Sequence, residues 1–399
     1  MSGPNLLQYG FFLAVVAVLV KPLGGYMVRV FEKQPTFLNR VLLPVERLTY
    51  RLTGIEPGLE MDWKQYSLAF IILGLVGTVL LYGVLRLQRF LPWFYPAYQT
   101  TPVTPDLAMN TTISFSTTTT WQAYAGENTF SYASQIIGLT VQNFLAGASG
   151  LAVGMAFIRG FARHQTTKLG NFWVDVTRSI LWILLPLSLL GSLLLVWQGV
   201  PMNWHPYAQV ATLASGHQTI PQGPVAALEI IENLGTNGGG FFNANGAHPY
   251  ENPTPLSNFL EMLAIVILPA AFTNTFGRII GRPRQGWVLL IVMTVLFVAG
   301  LLLCGQSEQA GNGRLVDIPG LSEHASAWQP GGNMEGKEVR FGIGASVLTA
   351  VVTSNGATGS TNSMHDSYTP QDRGMRLLNA WVTFQKAVER GSCCISEQH

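Results

Sequence analysis

The chain has 399 residues, of which 48% are hydrophobic and only 11% are charged, with a mean hydropathy of +0.29. Because soluble domains carry roughly 25% charged residues, this composition excludes an ordinary soluble enzyme. The net charge of +2 is too small for the basic surface of a nucleic-acid-binding protein. The three cysteines, Cys304, Cys393 and Cys394, form no pattern typical of a disulfide framework or a zinc site.

Six charge-poor apolar stretches are long enough to cross a bilayer, which takes about 20 helical residues. The first lacks the basic start and the cleavage site of a secretory signal, so we expect a retained membrane helix. Pro186 and Pro269 fall inside two later stretches, where neighbouring helices can satisfy the freed backbone carbonyls. The predicted spans are 4–26, 65–85, 136–158, 179–198, 258–277 and 286–305.

Lys and Arg are concentrated in alternate connections, and this predicts the orientation because short cytoplasmic loops retain positive charge. Residues 28–64, 159–178 and 278–284 hold 13 of the 23 basic residues. By contrast, the long stretch from Gly199 to Gly277 contains no Lys or Arg. We therefore predict a multi-pass membrane protein whose N-terminus lies outside.

Three further uncharged stretches are poor in Leu and Val and rich in Thr, Ser, Asn and Gly. Their central runs are Ser116–Gln122, Thr236–Asn243 and Thr353–Gly359, all on the predicted external side. The step from Gln122 to Gly238 is 116 residues and the step from Gly238 to Gly356 is 118 residues. Such regular spacing indicates an internal duplication.

The composition of the three runs is typical of an ion pathway. Non-helical backbone at membrane depth is tolerated only where protein buries it or where it lines a watery cavity. Several extended Thr/Gly segments around one axis form a cage of carbonyl oxygens that can replace the hydration shell of a monovalent cation. The runs contain no Asp or Glu, which disfavours a divalent cation. Three acids flank the second run on the external side, Glu229, Glu232 and Glu251. They are expected at a solvated vestibule, either as part of its rim alone or to raise the local cation concentration at the mouth.

Four long strings resemble the family of the potassium-binding, channel-like A subunit of the bacterial potassium-transporting ATPase, the KdpA family. They are Glu60–Tyr66, Ser114–Glu127, Glu232–Pro255, which reads ENLGTNGGGFFNANGAHPYENPTP, and Ser363–Pro370. The resemblance covers about residues 1–370. It implies an all-α membrane protein with fused repeats of helix, pore loop and helix, similar to a tetrameric potassium channel in one chain.

The resemblance implies a division of the chain and a set of filter positions. The segments are an N-terminal transmembrane helix and cytoplasmic loop at 1–64, repeat 1 at 65–158, repeat 2 at 179–277, an incomplete repeat 3 at 286–370 and a divergent polar tail at 371–399. The implied potassium-binding filter positions are Thr119, Thr120 and Gln122 in the first loop, Asn237, Gly238 and Gly239 in the second, and Ser354, Asn355 and Gly356 in the third.

The resemblance also implies a ligand, partners and a location. K⁺ is the transported ligand, and it passes to a P-type ATPase subunit (KdpB-like) in a complex completed by small accessory subunits (KdpC-like and KdpF-like). The complex lies in the bacterial inner membrane, in contact with membrane lipid. The sequence contains neither a Walker A motif nor an Asp-Lys-Thr-Gly string, so we expect no ATP site and no catalytic residue in this chain.

The C-terminal part departs from the family pattern. After Pro370 the expected apolar spans are replaced by the polar tail, and a fourth loop at the same spacing falls beyond His399. We therefore expect three of four repeats, in a truncated or frame-shifted member. The alternatives are a functional three-repeat variant, a split protein, a stand-alone potassium channel or symporter subunit, and an inactive membrane fragment. His248 and His365 are expected to form structural hydrogen bonds rather than to bind a metal.

Overall fold

The computed structural model describes residues 3–163, 166–213, 215–313, 315, 320–326, 331–370 and 374. The predicted polar tail at 371–399 lies outside the described residues, apart from Gly374. The described part is mostly helical. It also contains two short antiparallel strand pairs: Met61–Asp62 (β1) with Lys168–Gly170 (β2), and Ala208–Ala211 (β3) with His217–Ile220 (β4).

Six helical segments are long and apolar enough to cross a membrane. Each coincides with one of the apolar stretches, so the prediction of six spans is confirmed. The segments are Gly3–Phe31, Trp63–Phe90, Ser134–Ala162, Phe172–Trp197, Pro255–Ile279 and Pro283–Ala310.

The described residues form twelve α-helices, which include both long spans and shorter segments. In chain order they are α1 (Gly3–Phe31), α2 (Asn39–Thr53), α3 (Trp63–Leu87), α4 (Pro105–Ser116), α5 (Gly126–Thr129), α6 (Val141–Ala162), α7 (Phe172–Arg178), α8 (Leu185–Trp197), α9 (Val225–Leu234), α10 (Pro255–Ile279), α11 (Pro283–Ala310) and α12 (Gly342–Gly356). The π-helical turns Ser134–Thr140 and Ser179–Leu184 lead into α6 and α8. Such turns inside a span accommodate local irregularity without leaving backbone groups unpaired.

Two hydrophobic clusters hold the bundle together. The larger one includes side chains of α1, α3, α6, α9 and α10, and the smaller one joins α1, α10 and α11 to α12. Because α9 and α12 are enclosed in this way, the loops that follow them have a rigid support. Every residue of α12 from Ile343 to Ser354 is buried.

The start of α3 is fixed by a reciprocal pair of hydrogen bonds. The Gln65 N–H donates to Asp62 Oδ1 at 2.9 Å, and the Asp62 N–H donates to Gln65 Oε1 at 3.1 Å. This capping box satisfies two donors that a helix start otherwise leaves unpaired.

We expect Asp62→Ala to lower the free energy of unfolding by about 1 kcal/mol, because the cap is lost. Asp62→Asn, which keeps a side-chain acceptor, serves as the control and is expected to retain most of the stability. Thermal unfolding of the chain in lipid nanodiscs measures both variants. Equal losses in the two variants would contradict a capping role for Asp62.

Candidate functional site

Each of the three polar runs lies at the C-terminal end of a short helix that ends inside the bundle. The helices α4, α9 and α12 end at Ser116, Leu234 and Gly356. After each helix, two residues with left-handed backbone are separated by one ordinary residue, and in the second loop Gly239 also has a positive φ, of 95°. The positive φ values are 62° at Thr118 and 53° at Thr120, 54° at Thr236 and 81° at Gly238, and 51° at Ala357 and 90° at Gly359.

Backbone hydrogen bonds give the three loops a common register. In each loop, two successive N–H groups bond to one residue in the last turn of the preceding helix. The pairs are Thr119 and Thr120 to Ser114 O, Asn237 and Gly238 to Glu232 O, and Thr358 and Gly359 to Thr353 O and Oγ1. By this register, Thr120, Gly238 and Gly359 are structurally equivalent positions.

Consecutive loops lie directly against one another. The Thr120 hydroxyl of the first loop donates to the backbone oxygen of Asn237 in the second. Gly238 packs so closely on the third loop that a Cβ at this position would overlap the Thr358 carbonyl oxygen. The extended segments are therefore brought together, and residues 237–242 of the second are buried.

The side chain of Gln122 forms hydrogen bonds with both backbone polar groups of Gly240 in the second loop. Its Nε2 donates to Gly240 O at 2.9 Å, and the Gly240 N–H donates to its Oε1 at 3.2 Å. Nε2 also donates to the Tyr124 hydroxyl at 3.0 Å. The carboxamide therefore holds the second extended segment in place, and the register makes Gln122 equivalent to Gly240 rather than to Gly238.

The structure brings together the predicted residues of the first two loops, whereas the predicted residues of the third lie in the helix that precedes the loop. Ser354, Asn355 and Gly356 form the last turn of α12, where the Asn355 amide donates to Val351 O at 2.8 Å. The extended residues equivalent to Asn237 and Gly238 are Thr358 and Gly359. Spacing counted from Gly356 misses this shift because α12 continues through that glycine.

Helix ends give the site a negative potential that does not depend on the charge of an acidic side chain. An α-helix carries about half a negative charge at its C-terminus. Here α4, α9 and α12 all end immediately before extended segments that contact one another. Carbonyl oxygens and threonine hydroxyls in this setting favour a cation, as in filters built from backbone oxygens.

Four carboxyl groups are buried beside the second loop, and three of them were expected in water. Glu229, Glu232, Glu251 and Glu261 have exposed fractions of 0%, 0%, 0% and 4%, and none forms a salt bridge within the described residues. Their burial shows that the prediction of a solvated vestibule for Glu229, Glu232 and Glu251 was wrong. In three of the four carboxyl groups, Glu229, Glu232 and Glu251, one oxygen accepts a hydrogen bond in place of water. Glu229 Oε1, for example, accepts from Asn233 Nδ2 at 2.7 Å.

Glu251 supports the second loop directly, because the Phe242 N–H donates to its Oε1 at 2.7 Å. Glu127 of the first loop acts similarly, accepting from the Asn243 N–H at 3.0 Å. Burial, followed by the negative charge of Glu229, raises the pKa of the Glu251 carboxyl well above its usual 4.5. Sequence reasoning missed these contacts because they join residues of different loops.

The raised pKa of Glu251 predicts a pH dependence of stability. The stability this carboxyl contributes is complete below its unfolded pKa of about 4.5 and is lost as the pH rises through the higher folded pKa. We expect Glu251→Gln, which keeps the acceptor for Phe242, to lose less stability than the wild type on alkalinisation. Thermal unfolding as a function of pH measures this difference.

Glu56→Gln is the matched control for this pH series, since Glu56 carries an exposed carboxyl group and lies far from Glu251 in the sequence. This variant is expected to follow the wild-type pH profile. If the stability of Glu251→Gln changes with pH in parallel with that of the wild type, the Glu251 carboxyl does not titrate in the pH range measured.

The two histidines near the loops have structural surroundings. The His248 ring stacks on Phe242 with ring centres 4.0 Å apart, and its Nδ1 accepts from the Tyr250 N–H. Burial, followed by the positive charge of Arg340, lowers the pKa of His248 to about 4. His365 packs edge-on against Tyr368. Among the described residues, no cluster of three His, Cys, Asp or Glu side chains could bind a metal.

Comparison with known proteins gives a consistent result. Residues 10–391 match the family described as potassium-transporting ATPase A subunit, KdpA. A potassium-transporting ATPase potassium-binding subunit of Methylorubrum extorquens is 52% identical over 379 residues, which is 95% of this chain and 64% of the relative. Proteins of the same name from Rhodopseudomonas palustris and Bradyrhizobium diazoefficiens are 52% and 50% identical over 93% and 95% of the chain, and 64% and 65% of their own lengths. The chain thus spans a little under two thirds of each of these relatives.

Proposed function

Because the chain belongs to the KdpA family of potassium-transporting ATPase A subunits, we propose that it is the potassium-binding, channel-like part of an ATP-driven potassium uptake system. The observation that carries this proposal is the convergence of three uncharged extended segments, each held at the C-terminal end of a helix. Thr120, Gly238 and Gly359 occupy equivalent positions in these segments.

The proposed architecture consists of fused repeats of helix, pore loop and helix around one ion pathway. The shared backbone register of the three loops supports it, since repeats of common origin retain their local hydrogen bonds. The segments 65–158, 179–277 and 286–370 are the proposed repeats. A potassium ion binds between their loops to backbone oxygens that replace its hydration shell.

The proposed ion contacts follow the register. In the first two loops they are the predicted residues Thr119, Thr120, Asn237, Gly238 and Gly239. In the third loop, Ser354, Asn355 and Gly356 form the supporting helix end, and the backbone of 358–360 contributes the oxygens. The carboxamide of Gln122 positions the backbone of the second loop, because both of its polar atoms are bonded to Gly240.

The chain is proposed to supply the ion path and no catalysis. ATP hydrolysis is assigned to a P-type ATPase subunit (KdpB-like), and small accessory subunits (KdpC-like and KdpF-like) complete the complex. The proposed location is the bacterial inner membrane, with the N-terminus and the three loops outside. This orientation agrees with uptake, because the loops then face the medium from which K⁺ enters.

Growth of a potassium-uptake-deficient bacterium at micromolar K⁺ tests the proposal. The chain, and a chimera that joins its residues 1–370 to the remaining C-terminal part of the Methylorubrum extorquens relative, are each expressed with the ATPase and accessory subunits. We expect growth with the chimera only when the ATPase subunit is present. Growth without that subunit would instead favour a stand-alone channel, and absence of growth in every combination would contradict the proposal.

A further inference from the structure

The helix α2 has an apolar stripe that the rest of the chain does not cover. Four aliphatic side chains recur at intervals of four, three and four residues, and therefore lie within an arc of about 60° of the helix. They are Val41, Val45, Leu48 and Leu52, with exposed fractions of 67%, 43%, 55% and 77%. An exposed apolar stripe of this length marks a contact surface rather than a face in water.

The opposite side of α2 is attached to the bundle by a buried ionic network. Glu46 forms a 2.8 Å salt bridge with Arg178 and accepts from Trp182 Nε1 at 2.7 Å. Tyr50, one turn further along, donates to the same carboxylate at 2.8 Å. Because Glu46 and Tyr50 point into the protein, the apolar stripe points away from it.

The attachment also fixes the depth of α2. Arg178, which pairs with Glu46, donates to Val30 O, one residue before α1 ends at Phe31. The middle of α2 therefore lies at the level where α1 ends, about four residues beyond the end of the predicted apolar span at residue 26. At 1.5 Å per residue this level is about 6 Å past the predicted hydrocarbon region, within the layer of lipid headgroups. Phe37, in the short connection between α1 and α2, is 83% exposed beside it.

All exposed charge on α2 is positive. Arg40, Arg47 and Arg51 are exposed and form a second stripe about 110° from the apolar one. The single acid of the helix, Glu46, is buried and paired with Arg178. A helix with an apolar stripe flanked by arginines is the pattern of a segment that lies in the bilayer surface.

We propose that α2 lies in the membrane surface, with its apolar stripe in the acyl region and its three arginines on anionic lipid headgroups. Charge complementarity and depth favour lipid over a protein partner. Arginine side chains at this depth reach the headgroups while their stems stay among apolar groups, and anionic surfaces attract them. The proposal does not depend on ion binding, so its test is separate from that of the proposed function.

A lipid-quenching experiment tests the position of the stripe. A fluorescent probe is attached at Leu48→Cys, or at Thr53→Cys as the matched control on another side of α2, in a chain with Cys304→Ala, Cys393→Ser and Cys394→Ser. The chain is placed in nanodiscs that contain lipids brominated near the headgroup end of the acyl chains. We expect at least about twofold stronger quenching at position 48 than at position 53, and the reverse order with aqueous iodide.

The charge preference is tested by comparing phosphatidylglycerol with phosphatidylcholine nanodiscs. We expect anionic lipid to raise the melting temperature of the wild type, and this rise to be lost in Arg40→Gln/Arg47→Gln/Arg51→Gln. Arg282→Gln/Arg284→Gln, which removes exposed charge at another connection, is expected to keep most of it. The proposal would be overturned if iodide quenches the probe at position 48 in nanodiscs that hold the chain alone, and if only added partner subunits prevent this quenching. That result would assign the stripe to a protein interface.

Discussion

Gly238→Asp is expected to abolish selective potassium binding by the chain. Gly238 has a φ of 81°, and a Cβ there would overlap the Thr358 carbonyl oxygen of the third loop. The left-handed conformation costs a substituted residue roughly 1–2 kcal/mol, and overpacking typically adds about 1–3 kcal/mol. The carboxylate also adds a full negative charge to a site built from uncharged oxygens. We expect K⁺ affinity to fall by about tenfold or more, with loss of preference over Na⁺.

Calorimetric titration of the purified chain in nanodiscs with K⁺ and with Na⁺ measures this effect. Gly238→Ala separates the steric clash from the charge, and is expected to lower affinity without attracting Na⁺. Gly54→Ala is the control for backbone strain alone, since Gly54 has a φ of 69° and nothing within 4 Å of a Cβ. Unchanged affinity and selectivity in Gly238→Asp would exclude this glycine from the ion site.

Removal of the Gln122 carboxamide is expected to have the second largest effect. Gln122→Leu keeps the approximate volume but deprives both the N–H and the C=O of Gly240 of their partner. Each unpaired buried group costs about 1–3 kcal/mol, so the second extended segment should shift or become mobile. We expect K⁺ affinity to fall by about tenfold. Gln122→Arg should lower it further, because a positive charge then lies beside the site.

The matched control is Gln209→Leu, since Gln209 lies in the exposed β3–β4 pair and bonds to the Thr219 side chain. This variant is expected to bind K⁺ with wild-type affinity. A K⁺ affinity that decreases from the wild type to Gln122→Leu and further to Gln122→Arg would support the positioning role of Gln122. Equal affinity in all three would show that the two bonds to Gly240 do not matter for the ion.

The sequence predicts the spans well but makes two of them too short. A search for charge-free windows gives 136–158 and 179–198, whereas the helical segments run over Ser134–Ala162 and Phe172–Trp197. The difference arises because the charged residues that limit these windows, Arg159 and Arg178, are buried in ion pairs with Asp175 at 2.6 Å and with Glu46 at 2.8 Å. A buried ion pair between two helices lets each helix carry its charge inside the bundle, and the pairing is not visible in either segment alone.

The features of the site that depend on the residues of one segment could be predicted from the sequence. The Thr, Asn and Gly composition of the three runs indicates extended loops, and the structure places such a loop after each of α4, α9 and α12. The register of the third loop and the burial of Glu251 depend on contacts between distant segments. Spacing alone aligns Gly356 with Gly238, but backbone hydrogen bonds to Thr353 align Gly359 instead. Long-range contacts of this kind have no periodic signal in one sequence.

A crystal of the chain soaked in a thallium salt tests the central claim most directly. Tl⁺ is a monovalent cation of nearly the same radius as K⁺, and its anomalous scattering shows its position. We predict an anomalous peak within coordination distance of backbone oxygens from the three extended segments, next to Thr120, Gly238 and Gly359. A peak elsewhere with none between these segments would contradict the claim that the three loops form one potassium site.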